Sequence, residues 1–133
     1  MNPHYSAVAR RASHRCEYCR APEAVFNFPF EVEHVRPASR GRADEDSNLC
    51  LSCRGCNLRK SDRLAWRDDV TGAEASLFNP REQRWEEHFL VDSDTGEIHG
   101  KTPIGRATVA CLDLNSPLQF AARPLWIRLR LYP

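Results

Sequence analysis

Two cysteine pairs constrain this chain more than any other feature: Cys16-Glu17-Tyr18-Cys19 and Cys53-Arg54-Gly55-Cys56. Two CxxC knuckles can close a tetrahedral thiolate site, the geometry that structural zinc prefers. The 33 residues between them, 20–52, exceed a simple ribbon, so a structure must be built inside the interval. A redox dithiol fits less well, because no βαβ pattern surrounds either pair. Cys50-x-x-Cys53 offers an alternative register for the second knuckle. Cys111, and Cys50 if it is not a ligand, read as small buried apolar side chains.

Six cysteines in 133 residues are too few for a secreted disulfide scaffold. No apolar run approaches the roughly 18 residues of a membrane span. The opening MNPHYSAVARRASHRC has no apolar h-region, which predicts a reducing, cytoplasmic compartment and no membrane partner. With 41% hydrophobic and 28% charged residues, the chain has the balance of a globular protein rather than a disordered one. The net charge of +1 conceals an asymmetry: residues 1–67 carry 12 Lys+Arg against 8 Asp+Glu (+4), and residues 68–133 carry 7 against 10 (−3). The basic half also holds five of the six cysteines. That coincidence suggests a polyanion partner, although charge alone favours a solvated surface.

Residues 4–14 read as a short helix after Asn2 and Pro3. Residues 25–35, VFNFPFEVEHV, are rich in Val and Phe and read as extended, with Pro29 marking a bulge or an edge strand. Residues 36–47 form a polar loop, and residues 55–66 read as helical. The interval between the knuckles is therefore strand, loop and helix, with zinc pinning its ends.

Glu33-His34 closes the strand, Asn48 follows the loop, Cys56-Asn57 opens the helix, and Lys60 lies one turn on. Taken together, CxxC at 16–19, EVEHVRPASRGR at 31–42, SNL at 47–49 and CRGCNLRKSDR at 53–63 resemble an HNH endonuclease of the ββα-metal (His-Me finger) class. The resemblance covers about 48 residues, 16–63, and its CxxCN selects Cys53 and Cys56 as the second knuckle, which with Cys16 and Cys19 makes the four zinc ligands. It implies an α+β fold: a ββα-metal core stapled by a four-cysteine zinc site.

Phosphodiester hydrolysis needs an activated water, neutralisation of the phosphate and stabilisation of the leaving oxygen. A neutral histidine can take the proton from water near neutral pH. A carboxylate and an amide oxygen are hard ligands that suit Mg²⁺ or Mn²⁺. The resemblance assigns His34 as general base, Glu33 and Asn57 as ligands of the catalytic divalent ion, and Asn48 as a brace that orients His34. Position 33 is more often Asp in that family, so the longer Glu33 ligates with altered reach. Glu31, on the same strand face, is the alternative. Arg36, Arg40, Arg42, Arg59, Lys60 and Arg63 are the expected phosphate contacts. No residue set reads base edges.

Residues 68–133 form an expected C-terminal extension to the 1–67 core. Asp68 to Gly72 reads as a turn, and Trp85, His88 and Phe89 fall at helical spacing as packing residues. FLVD and EIHG flank Ser93–Gly96 as a hairpin. Thr102-Pro103 opens a helix to about Leu112, and Ser116-Pro117 opens one near 117–131, kinked at Pro124. Val109, Leu112, Leu118, Trp126, Leu129 and Tyr132 read as core. His88 and His99 read as structural, and Arg81, Arg84 and Arg106 as candidates to extend a phosphate-binding face. The half reads as a lid or brace for a small nuclease core.

The sequence therefore predicts a metal-dependent endonuclease acting on DNA, with zinc structural and Mg²⁺ or Mn²⁺ catalytic. The alternative is a zinc-stapled nucleic-acid-binding module that does not cleave. RNA as substrate, a homodimer and a targeting partner protein are left open. One active site per chain cuts one strand.

Overall fold

The computed structural model describes residues 1–37 and 44–133. The expected phosphate contacts Arg40 and Arg42 lie outside the described residues. Among the described residues the fold is mixed α+β, built on three small two-stranded antiparallel sheets. The order is α1 (Tyr5–Arg11), β1 (Glu31–His34), β2 (Leu49–Ser52), α2 (Arg54–Lys60), β3 (Ala65–Arg67), β4 (Glu74–Ser76), α3 (Trp85–His88), β5 (Phe89–Val91), β6 (Ile98–Gly100), α4 (Pro103–Leu112) and α5 (Pro117–Arg128).

β1 pairs with β2 in the register Glu31–Ser52, Val32–Leu51, Glu33–Cys50 and His34–Leu49. All four residues of β2 are buried. That strand is covered on both faces, so its Leu-Cys-Leu run needs no polar alternation. α1 lies across β2 and β1, and Arg11 ties it down by donating to the carbonyls of Asp46 (3.0 Å) and Leu49.

The extended run expected over 25–35 is shorter. A 3-10 turn occupies Glu23–Phe26 and ends at Asn27 in the left-handed region, φ 51°. Pro29 has no N–H, and the N–H of Phe30 is donated to Glu23 Oε2 at 2.6 Å. A ladder cannot begin before Glu31. The expected helix at 55–66 likewise stops at Lys60, where Ser61 turns to φ 52°. Its last residues, Ala65 and Trp66, belong instead to β3, which pairs with β4. The N-terminal helix is Tyr5–Arg11 rather than 4–14, ended by Ser13 and His14 at φ 53° and 56°.

The hairpin expected around 93–96 is present as β5–β6. Asp92 folds its tip by accepting from the N–H groups of Asp94 (2.8 Å) and Thr95 (3.0 Å). α4 starts where the Thr-Pro signature puts it: Thr102 Oγ1 accepts from Gly105 N at 3.0 Å. Gly105 carries no side chain because a Cβ there would sit 2.0 Å from the carbonyl oxygen of His88. Its absence lets α4 press against β6. Only the single turn Trp85–His88 of the 77–89 segment is helical. Trp85 still packs on Phe89, with ring centroids 4.8 Å apart.

Leu118 and Leu129, expected in the core, are 86% and 68% exposed. The buried centre of α5 is instead Arg123, whose guanidinium donates to Gly96 O (3.1 Å), Asn115 Oδ1 (2.9 Å), Gln119 Oε1 (2.7 Å) and Leu114 O. An inward cation with that many acceptors turns the helix so that its leucines face water. Asp68 is similarly buried, and Arg106 of α4 grips it bidentately at 2.8 and 3.0 Å. This fastens the β3–β4 turn to α4. No described helix is long and apolar enough to cross a membrane.

Candidate metal centre and nuclease site

Cys16, Cys19, Cys53 and Cys56 are buried together, their sulfurs all within 4.8 Å of one another. Four thiolates about 2.3 Å from a tetrahedral zinc lie about 3.8 Å apart, and Cys19 Sγ and Cys53 Sγ are 3.8 Å apart. The donor set and spacing fit zinc. Contacts among the cysteines hold the Cys53 thiol well below its ordinary pKa. Cys50 is not part of the cluster. Its thiol lies 3.5 Å from both Tyr18 Oη and Glu33 Oε2, and burial pushes its pKa up.

The hairpin β1–β2 and helix α2 meet along one seam. Glu31 and Glu33 share a face of β1 because side chains alternate along a strand. Asn57 and Lys60, three apart, share a face of α2. The result is two rungs. In the first, Asn57 Nδ2 donates to Glu31 Oε2, while Arg54 Nη1 donates to Glu31 Oε1 at 2.9 Å. In the second, Lys60 Nζ lies 3.7 Å from Glu33 Oε1 and donates to Val35 O at 2.9 Å.

Lys60, expected to reach phosphate, is only 1% exposed. Its ammonium faces inward because a carboxylate and a strand-end carbonyl are there to receive it. Glu33 is 6% exposed. Burial raises its carboxyl pKa to about 7 against the pull of the Lys60 charge and of hydrogen bonds from Tyr18 and Cys50. Its Oε1 is buried without a hydrogen-bond partner. An orphaned carboxylate oxygen is the kind of donor a hard cation completes. Asn57 Oδ1, the ligating end of the amide, receives no hydrogen bond among the described residues. The donor chemistry of Glu33 and Asn57 therefore fits a divalent ion, although the direct side-chain partner of Asn57 is Glu31.

His34 leaves the opposite face of β1 from Glu33. Its side chain is 38% exposed, and Nε2 lies 3.0 Å from Asp44 Oδ1. That hydrogen bond holds the Asp44 carboxyl below the usual range. Asn48 shows no hydrogen bond to His34 among the described residues. It clamps the chain two residues on, accepting from Arg36 N (2.8 Å) and donating to Arg36 O (3.0 Å), while its own carbonyl accepts from Val35 N at 2.8 Å. It thus fixes where β1 ends.

Arg36 and Arg63 are exposed and line one cleft, which Asn79 and Gln83 also line. Arg63 stacks over Trp66 at 5.4 Å and donates to Arg59 O at 2.8 Å. Arg59 approaches Asp113 at 3.9 Å. Arg106 and Arg81 are spent on Asp68 and Glu17. His88 and His99 contact Thr102 and Glu97.

Asp44, Arg54 and Tyr18 join this site without having been expected. Asp44 sits in a polar run with no periodicity, and Tyr18 lies inside a knuckle where any residue fits the motif. Arg54 carried one usable signal, its place at the start of the helix that presents Asn57.

The family model described as HNH endonuclease matches residues 16–63. No curated protein and no solved structure matches the chain.

Proposed function

We propose, from the match of residues 16–63 to the HNH endonuclease family model and the four-cysteine cluster within them, that the protein is a metal-dependent endonuclease that hydrolyses DNA phosphodiester bonds. The observation that carries this reading is the orphaned, buried Oε1 of Glu33 in the seam that Asn57 also faces. Glu33 and Asn57 would hold a Mg²⁺ or Mn²⁺ ion, which supplies Lewis-acid stabilisation of the phosphate and the leaving oxygen. His34 takes a proton from the attacking water as the P–O bond to the leaving oxygen breaks. Asp44 steadies its imidazole through the 3.0 Å contact at Nε2, a carboxylate–histidine pairing that fixes ring orientation.

Asn48 keeps the strand end in place, and Arg36, Arg59 and Arg63 are the cations for the nucleic-acid backbone. The four-cysteine cluster holds zinc and serves folding. We assign residues 68–133 as a brace on the first knuckle. Trp85 Nε1 donates to Tyr18 O (2.8 Å), Arg15 Nη1 to Leu131 O (2.7 Å), and Tyr132 Oη to Cys19 O (2.8 Å).

One observation favours a second reading, a zinc-stapled nucleic-acid-binding module without cleavage. Lys60 already stands 3.7 Å from Glu33 and offsets part of its charge. A supercoiled-plasmid assay with Mg²⁺ and with Mn²⁺ separates the two, comparing wild type, His34→Ala and an EDTA control. Nicking that needs both metal and His34 supports the endonuclease. Plasmid binding by folded, zinc-loaded protein without cutting under either metal supports the binding module.

A further inference from the structure

We infer that Glu31 is the positioning residue of the divalent-ion site: it selects the rotamer of the Asn57 amide that turns Oδ1 toward the ion. This rests on the reading of Asn57 as an ion ligand. An asparagine amide has two ends of nearly equal shape, and only the oxygen can coordinate a hard cation. Its last torsion is broad and roughly two-fold, so an unrestrained amide samples both orientations. Glu31 removes the choice. Its Oε2 accepts from Asn57 Nδ2. The flipped amide would set Oδ1 against the carboxylate, oxygen against oxygen.

The carboxylate is itself held. Oε1 accepts from Arg54 Nη1 at 2.9 Å, and Arg54 and Asn57 are neighbours one turn apart on α2. Arg54 also marks Glu31 as an orienting group rather than a ligand, because a carboxylate already paired with a guanidinium attracts a further cation weakly. Arg54 lies between the cluster cysteines Cys53 and Cys56. The thiolate cluster therefore fixes the start of α2, Arg54 fixes Glu31, and Glu31 fixes the amide. Partners of this kind commonly change metal affinity or activity about 10–100-fold when removed.

The test uses the full chain with zinc bound and reads Mn²⁺ affinity by electron paramagnetic resonance, beside plasmid nicking. Glu31→Ala should weaken Mn²⁺ binding about 10–100-fold. Glu31→Gln should restore affinity close to wild type, because its amide oxygen still accepts the Asn57 N–H. An acidic ligand would behave otherwise, with Gln losing as much as Ala, and that result overturns the proposal.

A second background guards against a general loss of structure. Asn57→Asp presents oxygen at both ends and needs no orienting, so Glu31→Ala should not weaken Mn²⁺ binding there. A loss that persists in the Asp background overturns the proposal, as does wild type that binds no Mn²⁺. The endonuclease reading fails separately. Wild type that binds Mn²⁺ with the expected Glu31 pattern but leaves plasmid intact supports the positioning role and removes the nuclease. Wild type that nicks plasmid while Glu31→Ala binds Mn²⁺ normally does the reverse.

Discussion

Tyr132 Oη donates a 2.8 Å hydrogen bond to the carbonyl of Cys19 across 113 residues of chain. The C-terminal end thereby closes on the first cysteine knuckle. Both residues are buried, and burial together with the nearby thiols raises the tyrosine hydroxyl far above its ordinary pKa. It stays a neutral donor throughout the working range. Removing the hydroxyl leaves a buried carbonyl without its partner, a loss of about 1–3 kcal/mol. Tyr132→Phe should lower the unfolding free energy by that amount in urea titration. It should also speed zinc release to a chelator while the folded protein still carries zinc. Unchanged zinc release would mean that the extension packs beside the knuckle without bracing it.

The two registers of the second knuckle make opposite predictions for Cys50 and Cys53. Cys53 belongs to the sulfur cluster, and Cys50 points at Tyr18 and Glu33. Structural zinc contributes an apparent binding free energy on the order of 10–16 kcal/mol in small metallo-domains. Cys53→Ser should therefore lose zinc and most of its ordered circular dichroism. Cys50→Ser keeps a small side chain that can hydrogen-bond the same two oxygens, so it should retain zinc and lose about 1 kcal/mol. Elemental analysis of the two purified variants decides the register directly.

Sulfur spacing was readable in the sequence because a metal site is local in chemistry: CxxC pairs point to a four-thiolate site whatever lies between them, although the choice of Cys56 over Cys50 came from the family resemblance and not from spacing. Capping was readable for the same reason, and α4 opens where Thr102 and Pro103 place it. The seam was harder to read. Lys60 sits among Arg59, Asp62 and Arg63 and reads as one more solvated cation, yet it is buried because Glu33 and Val35 O face it from another element. Asn57 pairs with Glu31 rather than lying alone beside Glu33, because the strand's pleat and the helix's turn meet in that phase. β3 and β4, three residues each and mixed in polarity, carry no strand pattern. Leu118 and Leu129 read as core until Arg123 is seen to turn α5 the other way. Each miss is a decision taken between elements, where period and composition within one element are silent.

Asn48 gives the clearest link from loop geometry to activity. It is 5% exposed and holds both the N–H and the carbonyl of Arg36. Asn48→Ala should cost on the order of 2 kcal/mol through the lost pair. It should also reduce plasmid nicking more than it reduces DNA affinity, since it loosens the strand end carrying His34 while sparing Arg59 and Arg63. A gel-shift titration run beside the nicking assay checks this, and equal losses in both would contradict it.

Asp68 supplies a pH prediction. The Arg106 guanidinium holds its carboxyl well below the usual range, helped by hydrogen bonds from Thr71 and from the backbone N–H groups of Val70 and Thr71, against the opposing effect of burial. A depressed folded pKa stabilises the fold wherever the unfolded carboxyl would be ionised. That stabilisation is complete above the ordinary aspartate value of about 3.9 and is lost only as pH falls through the lower folded value. Asp68→Asn removes it at every pH where wild type is charged. The variant should melt several degrees below wild type, and the gap should stay constant from pH 8 down to pH 5. The same gap should appear for Arg106→Met, and the double variant should lose much less than the sum, because the two side chains form one bidentate unit. Differential scanning calorimetry across that window is the check. A gap that narrows between pH 7 and pH 5 would show that Asp68 is not the ionised partner of Arg106, and that another group fastens the β3–β4 turn to α4.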